Sequence, residues 1–324
     1  MNPPLLAVRG LAKSFVVKDR GRRVVVPALR DVSFDIAAGE AVALVGESGS
    51  GKSTAARLIA RLETPSAGEI HFDGQDILRR EPRRPSLAFR SRVQMIFQDP
   101  FASLNPFHTV AYHLARPLIR HRKARRGPDV DAAVRRLLET VGLTPAEDFA
   151  RKRPHQASGG QRQRVAVARA LAVDPQLILA DEPTSMLDVS IRIDLLNLMR
   201  ELKTQRRIGY LLITHDLGAA RYFAERILVM YAGLIVESGA ADALLDAPKH
   251  PYTQLLVAAV PSPSAPLAPA GATAQSHSRR LAVLAGCPFA DRCPSVMDRC
   301  LTELPAARAV AAGHEVRCHL YPST

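Results

Sequence analysis

Apolar positions along this chain switch between two periods. Short runs dense in apolar and β-branched residues, at Val32 to Ile36, Ala41 to Val45, Glu69 to Phe72, Val93 to Phe97, Leu177 to Ala180 and Leu211 to Ile213, have the length of strands. Between them the apolar residues spread to helical spacing. Ser53 to Leu62 continues a glycine loop into an amphipathic helix, and Gln161 to Ala172 sets Val165, Ala168, Leu171 and Ala172 on one face. Strands alternating with helices predict an α/β layer fold. From about Pro100 to Gln156 the pattern changes to mostly helical, rich in Arg and Ala, with a candidate helix at Asp129 to Val141. That stretch reads as a helical insertion between two groups of strands. Pro261 to Arg280 is dominated by Pro, Ser and Ala with no apolar period, which marks a linker, and a small C-terminal module follows. The longest unbroken apolar run, Ile227 to Val236, is about half of what a helix needs to cross a bilayer.

Composition narrows this picture. A chain of 324 residues suits one catalytic domain with a smaller appendage. With 47% hydrophobic and 23% charged residues it has the means to fold over most of its length. The formal charge of +13 is concentrated at Arg79-Arg80, Arg83-Arg84 and Arg120 to Arg126. Such a balance suits anionic lipid, nucleotide or nucleic acid, although a solvated Arg-rich surface accounts for it as well. The N-terminal Met1-Asn2-Pro3-Pro4 is not followed by a leader-like pattern, so a cytoplasmic protein is expected. All four cysteines follow residue 286, and a cytosolic setting argues against structural disulfides.

The run Ala41 to Val45 leads into Gly46-Glu47-Ser48-Gly49-Ser50-Gly51-Lys52-Ser53-Thr54, which satisfies G-x-x-x-x-G-K-[ST] between a predicted strand and helix. The glycines let backbone N–H groups turn inward around phosphates, and the helix start directs its positive dipole end at them. Lys52 can bridge β- and γ-phosphates, and the Ser53 hydroxyl can ligate Mg²⁺. Nucleotide binding follows as the expectation, with the class of P-loop protein still open. Downstream, Leu177 to Ala180 ends in Asp181 and Glu182. Asp181 is placed to hold Mg²⁺, directly or through water, and Glu182 to polarise the water that attacks the γ-phosphate. About twenty residues earlier, Ser158-Gly159-Gly160-Gln161 precedes a helix and offers backbone donors, a hydroxyl and a helix N-terminus together. One γ-phosphate does not need two such sites from one chain, so this second anion site is read as serving a nucleotide held by a partner subunit.

With these parts together the chain resembles the ATPases of ABC transporters over about residues 5 to 255. Gly46 to Ser53 looks like their Walker A, Leu177 to Glu182 their Walker B, and Ser158 to Gln161 their signature sequence. The resemblance implies a P-loop NTPase fold: a mixed-sheet core, an antiparallel β part and a helical subdomain at about 100–156. It further implies that Phe15 stacks on adenine and that Gln98, in Phe97-Gln98-Asp99-Pro100, senses Mg²⁺ and the attacking water. By the same resemblance Asp188, in Ser185-Met186-Leu187-Asp188, organises the dimer interface, and His215 contacts the γ-phosphate and holds Glu182. Two departures are Ala157, where the family has a larger apolar residue, and Met186, where it commonly has Ala. Both are expected to tune packing and dimer contacts with the catalytic site intact.

Further stretches resemble the ATPases of bacterial dipeptide and oligopeptide importers, whose relatives import nickel, glutathione or antibiotic-like peptides. They are Phe97 to Pro106, Ser158 to Arg164, Asp188-Val189-Ser190, and His250-Pro251-Tyr252-Thr253 followed by Leu255-Leu256. The spacing of Cys287, Cys293, Cys300 and Cys318 matches that family's C-terminal extension. The expected division is therefore 1–258 for the nucleotide-binding domain, 259–283 for a linker and 284–324 for the cysteine module. Four thiols in a cytosolic appendage suggest a soft-metal site, though without C-x₂-C pairs. The resemblance points to a [4Fe–4S] cluster; free thiols, or zinc with help from His314 and His319, stay open. It implies as partners a second, related ATPase subunit in a heterodimer, with a homodimer open. It adds two transmembrane permease subunits, an extracytoplasmic binding protein acting through them, and a place on the cytoplasmic face of the inner membrane. A nucleic-acid-directed ABC ATPase is disfavoured, since those carry two cassettes or a long coiled-coil insertion.

Overall fold

A computed structural model of the chain describes residues 3–19, 21–99, 103–259 and 285–321. Its centre is a sheet of eight strands in the order β11-β12-β10-β9-β3-β8-β7-β6. Five of these, β6 (Val93–Ile96), β7 (Leu177–Asp181), β8 (Gly209–Thr214), β3 (Ala41–Val45) and β9 (Arg226–Tyr231), run parallel. Three antiparallel strands, β10 (Leu234–Ala240), β12 (His314–Val316) and β11 (Arg308–Ala311), extend one edge. A second, antiparallel sheet joins β2 (Arg22–Ile36), β1 (Leu6–Asp19), β4 (Ala67–Phe72) and β5 (Gln75–Asp76).

The parallel strands are covered on both faces, which is why they read as continuous apolar runs. Side chains alternate across a strand, so each strand feeds two cores. Val42, Leu44, Leu177, Leu179, Leu211 and Ile213 face the antiparallel sheet and helix Lys52–Ile59. Ala41, Ala43, Val45, Ile178, Ala180 and Leu212 face the other way, toward helices. Each fully withdrawn Val, Leu or Ile stabilises by about 1.5–3 kcal/mol, so this doubly covered sheet is the rigid frame on which loops at the strand ends are mounted.

The expected helical stretch holds the α-helices Val110–Arg120, Pro128–Thr140 and Ala146–Arg151, packed with helix Gly159–Leu171, and a short 3-10 turn at Pro154–Gln156. Thr109 caps the first by accepting from the Tyr112 N–H, and Pro128 opens the second with Asp129 and Asp131 in its first turn. The linker expected at 259–283 lies outside the described residues from 260 on, as do Pro100 to Ala102. The strand expectations hold in place, but long β1 and most of β2 escape the sequence pattern. Their ladder shifts register near Val8, Leu11 and Lys13, and Val16, Val17 and Val25 are exposed, so no clean period of two survives. The run Ile227 to Val236 is parts of two strands, β9 and β10, turned at Ala232-Gly233. Among the described residues no helix is long and apolar enough to cross a membrane.

Candidate functional site

Four parallel strands end on one edge of the sheet, and each delivers part of a polar cluster there. The phosphate loop follows Val45 at the end of β3, Gln98 follows β6, Asp181 closes β7, and His215 follows β8. Register ties them together: Val45 pairs with Thr214, Asp181 with Ile213, and Ile96 with Ala180. Residues up to 169 positions apart in sequence thus share one crevice at the carboxyl ends of the strands, where open α/β sheets bind ligands.

The loop's glycines are required by its shape. Gly46 and Gly51 have φ of 151° and 111°, and a Cβ on them would come within 2.1 Å of the Met230 carbonyl oxygen and 2.5 Å of the Ala28 carbonyl oxygen. Helix Lys52–Ile59 starts at Gly51 with no capping side chain, which leaves its first N–H groups to an anion. The buried Lys52 ammonium curls back into the loop, donating to the Gly46 carbonyl at 2.7 Å and the Glu47 carbonyl at 2.9 Å. Burial lowers its pKa, while the charges of Glu182, Asp181 and Glu47 oppose that shift.

Ser53 Oγ donates to Asp181 Oδ1 at 2.9 Å, so hydroxyl and carboxylate converge as a hard-oxygen pair of the kind Mg²⁺ takes. Burial raises the Asp181 pKa, and the Ser53 hydrogen bond opposes that shift. Next to it Glu182 has φ of 46°, a left-handed conformation that a glutamate adopts only under constraint, at a cost of order 1–3 kcal/mol. Its N–H donates to the Ile213 carbonyl and its own carbonyl accepts from Ser185 Oγ, which hold that turn. The carboxylate is thereby aimed between Gln98 and His215. Gln98 Nε2 donates to Oε2 at 3.0 Å, and His215 Nδ1 stands 3.3 Å from Oε1.

The segment Ser158 to Gln161 caps helix Gly159–Leu171 by a reciprocal box: Ser158 Oγ accepts from the Gln161 N–H, and the Gln161 side chain accepts from the Ser158 N–H. Gly160 is demanded by packing, since a Cβ there would meet Ile191 Cγ2 at 2.5 Å. Asp188 stands at the N-cap of helix Val189–Arg206. Met186, Val189 and Ile193, within two turns of it, leave an apolar row 58%, 69% and 46% exposed. Ala157, by contrast, is buried. Phe15 lies half-buried on β1 opposite Val26, with Lys13 Nζ 4.8 Å from its ring centre. The structure thus sets three groups at one edge of the sheet, Lys52 bonded within its loop, the Ser53–Asp181 pair and the Gln98–Glu182–His215 bridge, while Phe15, Ser158 and Asp188 have other neighbours.

Three contacts escaped sequence reasoning. Arg192 reaches Asp216 at 2.6 Å, tying the helix after Asp188 to the turn after His215. The Tyr252 hydroxyl accepts from the Glu47 N–H at 2.9 Å, and Arg292 forks onto the Glu47 carboxylate. The stretch His250 to Thr253 was a visible signal for the second; nothing local announced the others.

The cysteine module departs from the implied ligand set. Among the described residues no group of three or more His, Cys, Asp and Glu converges on one metal-sized point. Cys300 and Cys318 are buried, Cys287 and Cys293 half-buried, and burial raises the pKa of Cys287 and of Cys318. The histidines considered for zinc are engaged elsewhere: His314 Nε2 pairs with Glu237 Oε1 at 2.7 Å, and His319 Nε2 meets the Glu303 carbonyl at 2.9 Å. In each of these histidines it is Nε2 that is engaged.

Residues 29–185 match the family described as "ABC transporter", and 236–300 match "Oligopeptide/dipeptide transporter, C-terminal region". The chain is 48% identical over 263 residues to the oligopeptide transport ATP-binding protein OppF of Bacillus subtilis (strain 168), covering 81% of this chain and 84% of that one. It is 43% identical over 323 residues to a putative peptide import ATP-binding protein of Brucella ovis, covering 97% of each. Among solved structures it resembles the ATP-binding cassette MJ0796, a dimer in a post-hydrolysis state bound to ADP and Pi. That likeness has a TM-score of 0.63 at 31% identity and covers 73% of this chain and 98% of that one.

Proposed function

We propose, since this chain belongs to the ABC transporter family, that it is the ATP-hydrolysing subunit of an importer of dipeptides or oligopeptides. The observation that carries the catalytic part is the Gln98–Glu182–His215 bridge beside the Ser53–Asp181 pair. Lys52 and the loop from Gly46 to Thr54 bind the triphosphate, with the Lys52 ammonium already stationed within the loop's curl. Ser53, Asp181 and Gln98 would hold Mg²⁺, which when bound neutralises charge on the phosphate oxygens. Glu182 accepts a proton from the attacking water at its carboxylate, while Gln98 and His215 fix the direction of that carboxylate. Phe15 supplies an aromatic face for adenine.

Ser158 to Gln161 and Asp188 serve the partner's nucleotide, so two subunits close on two ATP molecules. The exposed row Met186, Val189 and Ile193 supports a partner on that face, because apolar side chains so placed gain by being covered. The partner is a second ABC ATPase, in a heterodimer of related subunits. Closure drives two transmembrane permease subunits on the cytoplasmic side of the membrane, to which an extracytoplasmic binding protein delivers cargo. The names of the relatives support peptide as that cargo. Glu182→Gln is expected to keep ATP-dependent dimerisation and lower phosphate release by about 10²–10⁴-fold. Undiminished turnover would remove Glu182 from its role as base.

Cys287, Cys293, Cys300 and Cys318 are proposed to take up a [4Fe–4S] cluster after local rearrangement of the module. Support comes from their gathering in one small module, where the Cys287 N–H donates to the Cys300 carbonyl at 2.8 Å. Iron and labile sulfide measured on anaerobically purified chain should reach about four of each per chain, the composition of such a cluster. An iron-free product would leave four structural thiols.

A further inference from the structure

Glu47, second residue of the phosphate loop, is gripped from outside that loop. Its N–H donates to the Tyr252 hydroxyl at 2.9 Å. Its carboxylate receives a two-pronged fork from Arg292, Nη1 to Oε2 and Nη2 to Oε1, both at 2.9 Å. The holds come from 205 and 245 positions downstream, Tyr252 on helix Pro251–Ala258 and Arg292 on the C-terminal module between Cys287 and Cys293.

Arg292 is exposed over 39% of its side chain, yet its direction is constrained by neighbouring rings. Its guanidinium lies 5.6 Å from the Phe289 ring centre and 5.9 Å from that of Tyr231. Those rings pack with Tyr252 at centroid distances of 4.6 to 5.5 Å, and Phe289 and Tyr252 are fully buried. Single exposed ion pairs contribute little, but a planar fork aimed by a packed aromatic cage has a fixed geometry and loses less side-chain freedom on forming.

The loop also has an electrostatic need for this partner. Glu47 lies close enough to Lys52 to favour its protonated form, as Asp181 and Glu182 do. Asp181 and Glu182 have tasks toward metal and water; the Glu47 carboxylate has none at the phosphates and, left bare, would repel them. We infer that Arg292 is a positioning residue of the nucleotide site: its fork cancels the surplus charge of Glu47 and pins the loop's entry, so the cysteine module sets ATP affinity. The inference rests on the reading of Gly46 to Thr54 as an ATP site.

The test is ATP affinity of the full-length chain, measured by titration calorimetry with MgATP. Arg292→Ala is expected to weaken binding about tenfold, as one uncompensated charge near a polyanion would. Adding Glu47→Gln to Arg292→Ala removes that charge and is expected to bring affinity back to within about twofold of the unmodified chain. A merely structural role for Arg292 predicts no such relief. Unchanged affinity in Arg292→Ala, or a loss that Glu47→Gln does not relieve, would overturn the inference. Should Arg292→Ala not fold, Arg292→Gln alone and with Glu47→Gln gives the same two readings. An unmodified chain that binds no ATP would instead sink the ATP-site reading.

Discussion

The catalytic edge and the C-terminal module are both polar clusters, yet they are built in opposite ways. At the catalytic edge Gln98, Asp181, Glu182 and His215 stand at a strand end or within two residues of one, Lys52 and Ser53 open the helix after β3, and Gln98 and His215 are open to solvent. Among the fastenings of the module is one carboxylate deep in the protein. Glu237, 1% exposed, accepts from the Lys249 N–H at 2.7 Å and the His250 N–H at 2.9 Å, and pairs with His314 Nε2 at 2.7 Å. The strand that carries Glu237, β10, takes on β12 of the module as its neighbour, with Glu237 opposite Val316. The difference teaches where each region keeps its stability. The edge borrows rigidity from the sheet beneath it and can tolerate a strained Glu182, whereas the module is held by buried polar contacts together with Phe289 packed on Tyr231 and Tyr252.

Replacing Glu237 tests this most severely. Glu237→Ala leaves His314 and two N–H donors buried without their acceptor, and is expected to cost about 3–5 kcal/mol of stability in denaturant unfolding. Glu182→Gln, at the partly open edge, should change stability by less than about 1 kcal/mol. Equal effects would erase the contrast.

Acid gives a smaller effect with a defined sign. Burial lowers the His250 pKa to about 4. An unfolded histidine titrates near 6.5, so between about 6.5 and 4 the unfolded chain holds the extra proton and stability falls as pH falls. The full loss is about 3 kcal/mol, complete below pH ~4. Unfolding midpoints measured from pH 7 to 4 should fall for the unmodified chain and flatten for His250→Gln. Identical profiles would show that the docking of the module does not depend on a neutral His250.

Much of the site was legible because its chemistry is local. The phosphate loop needs glycines at Gly46 and Gly51 and a lysine at the start of a helix, and those positions adjoin in sequence. Asp181 closes, and Glu182 follows, a strand whose five residues are all buried, which makes both strand and terminus visible. Gln98 and His215 were placed by resemblance to a known order, and the hydrogen bonds of each to Glu182 show the geometric reason for that order. Less legible was β1 paired with β2, where register shifts and exposed valines blur the alternation. The cysteines were legible as a group by spacing, but spacing says nothing of whether four sulfurs meet at one point.

What sequence alone determined, then, is the set of groups bound to neighbours along the chain: the loop, the paired acids, the capped Ser158 segment and the alternating strands and helices. Tertiary structure decided the rest. Sheet order brought β12 onto β10, ring packing aimed Arg292 at Glu47, and the buried Glu237 paired with His314. Those outcomes join residues 77 and 245 positions apart, and such pairings come from the competition of many burial and hydrogen-bond choices over the whole chain. No local period or motif spacing encodes that competition.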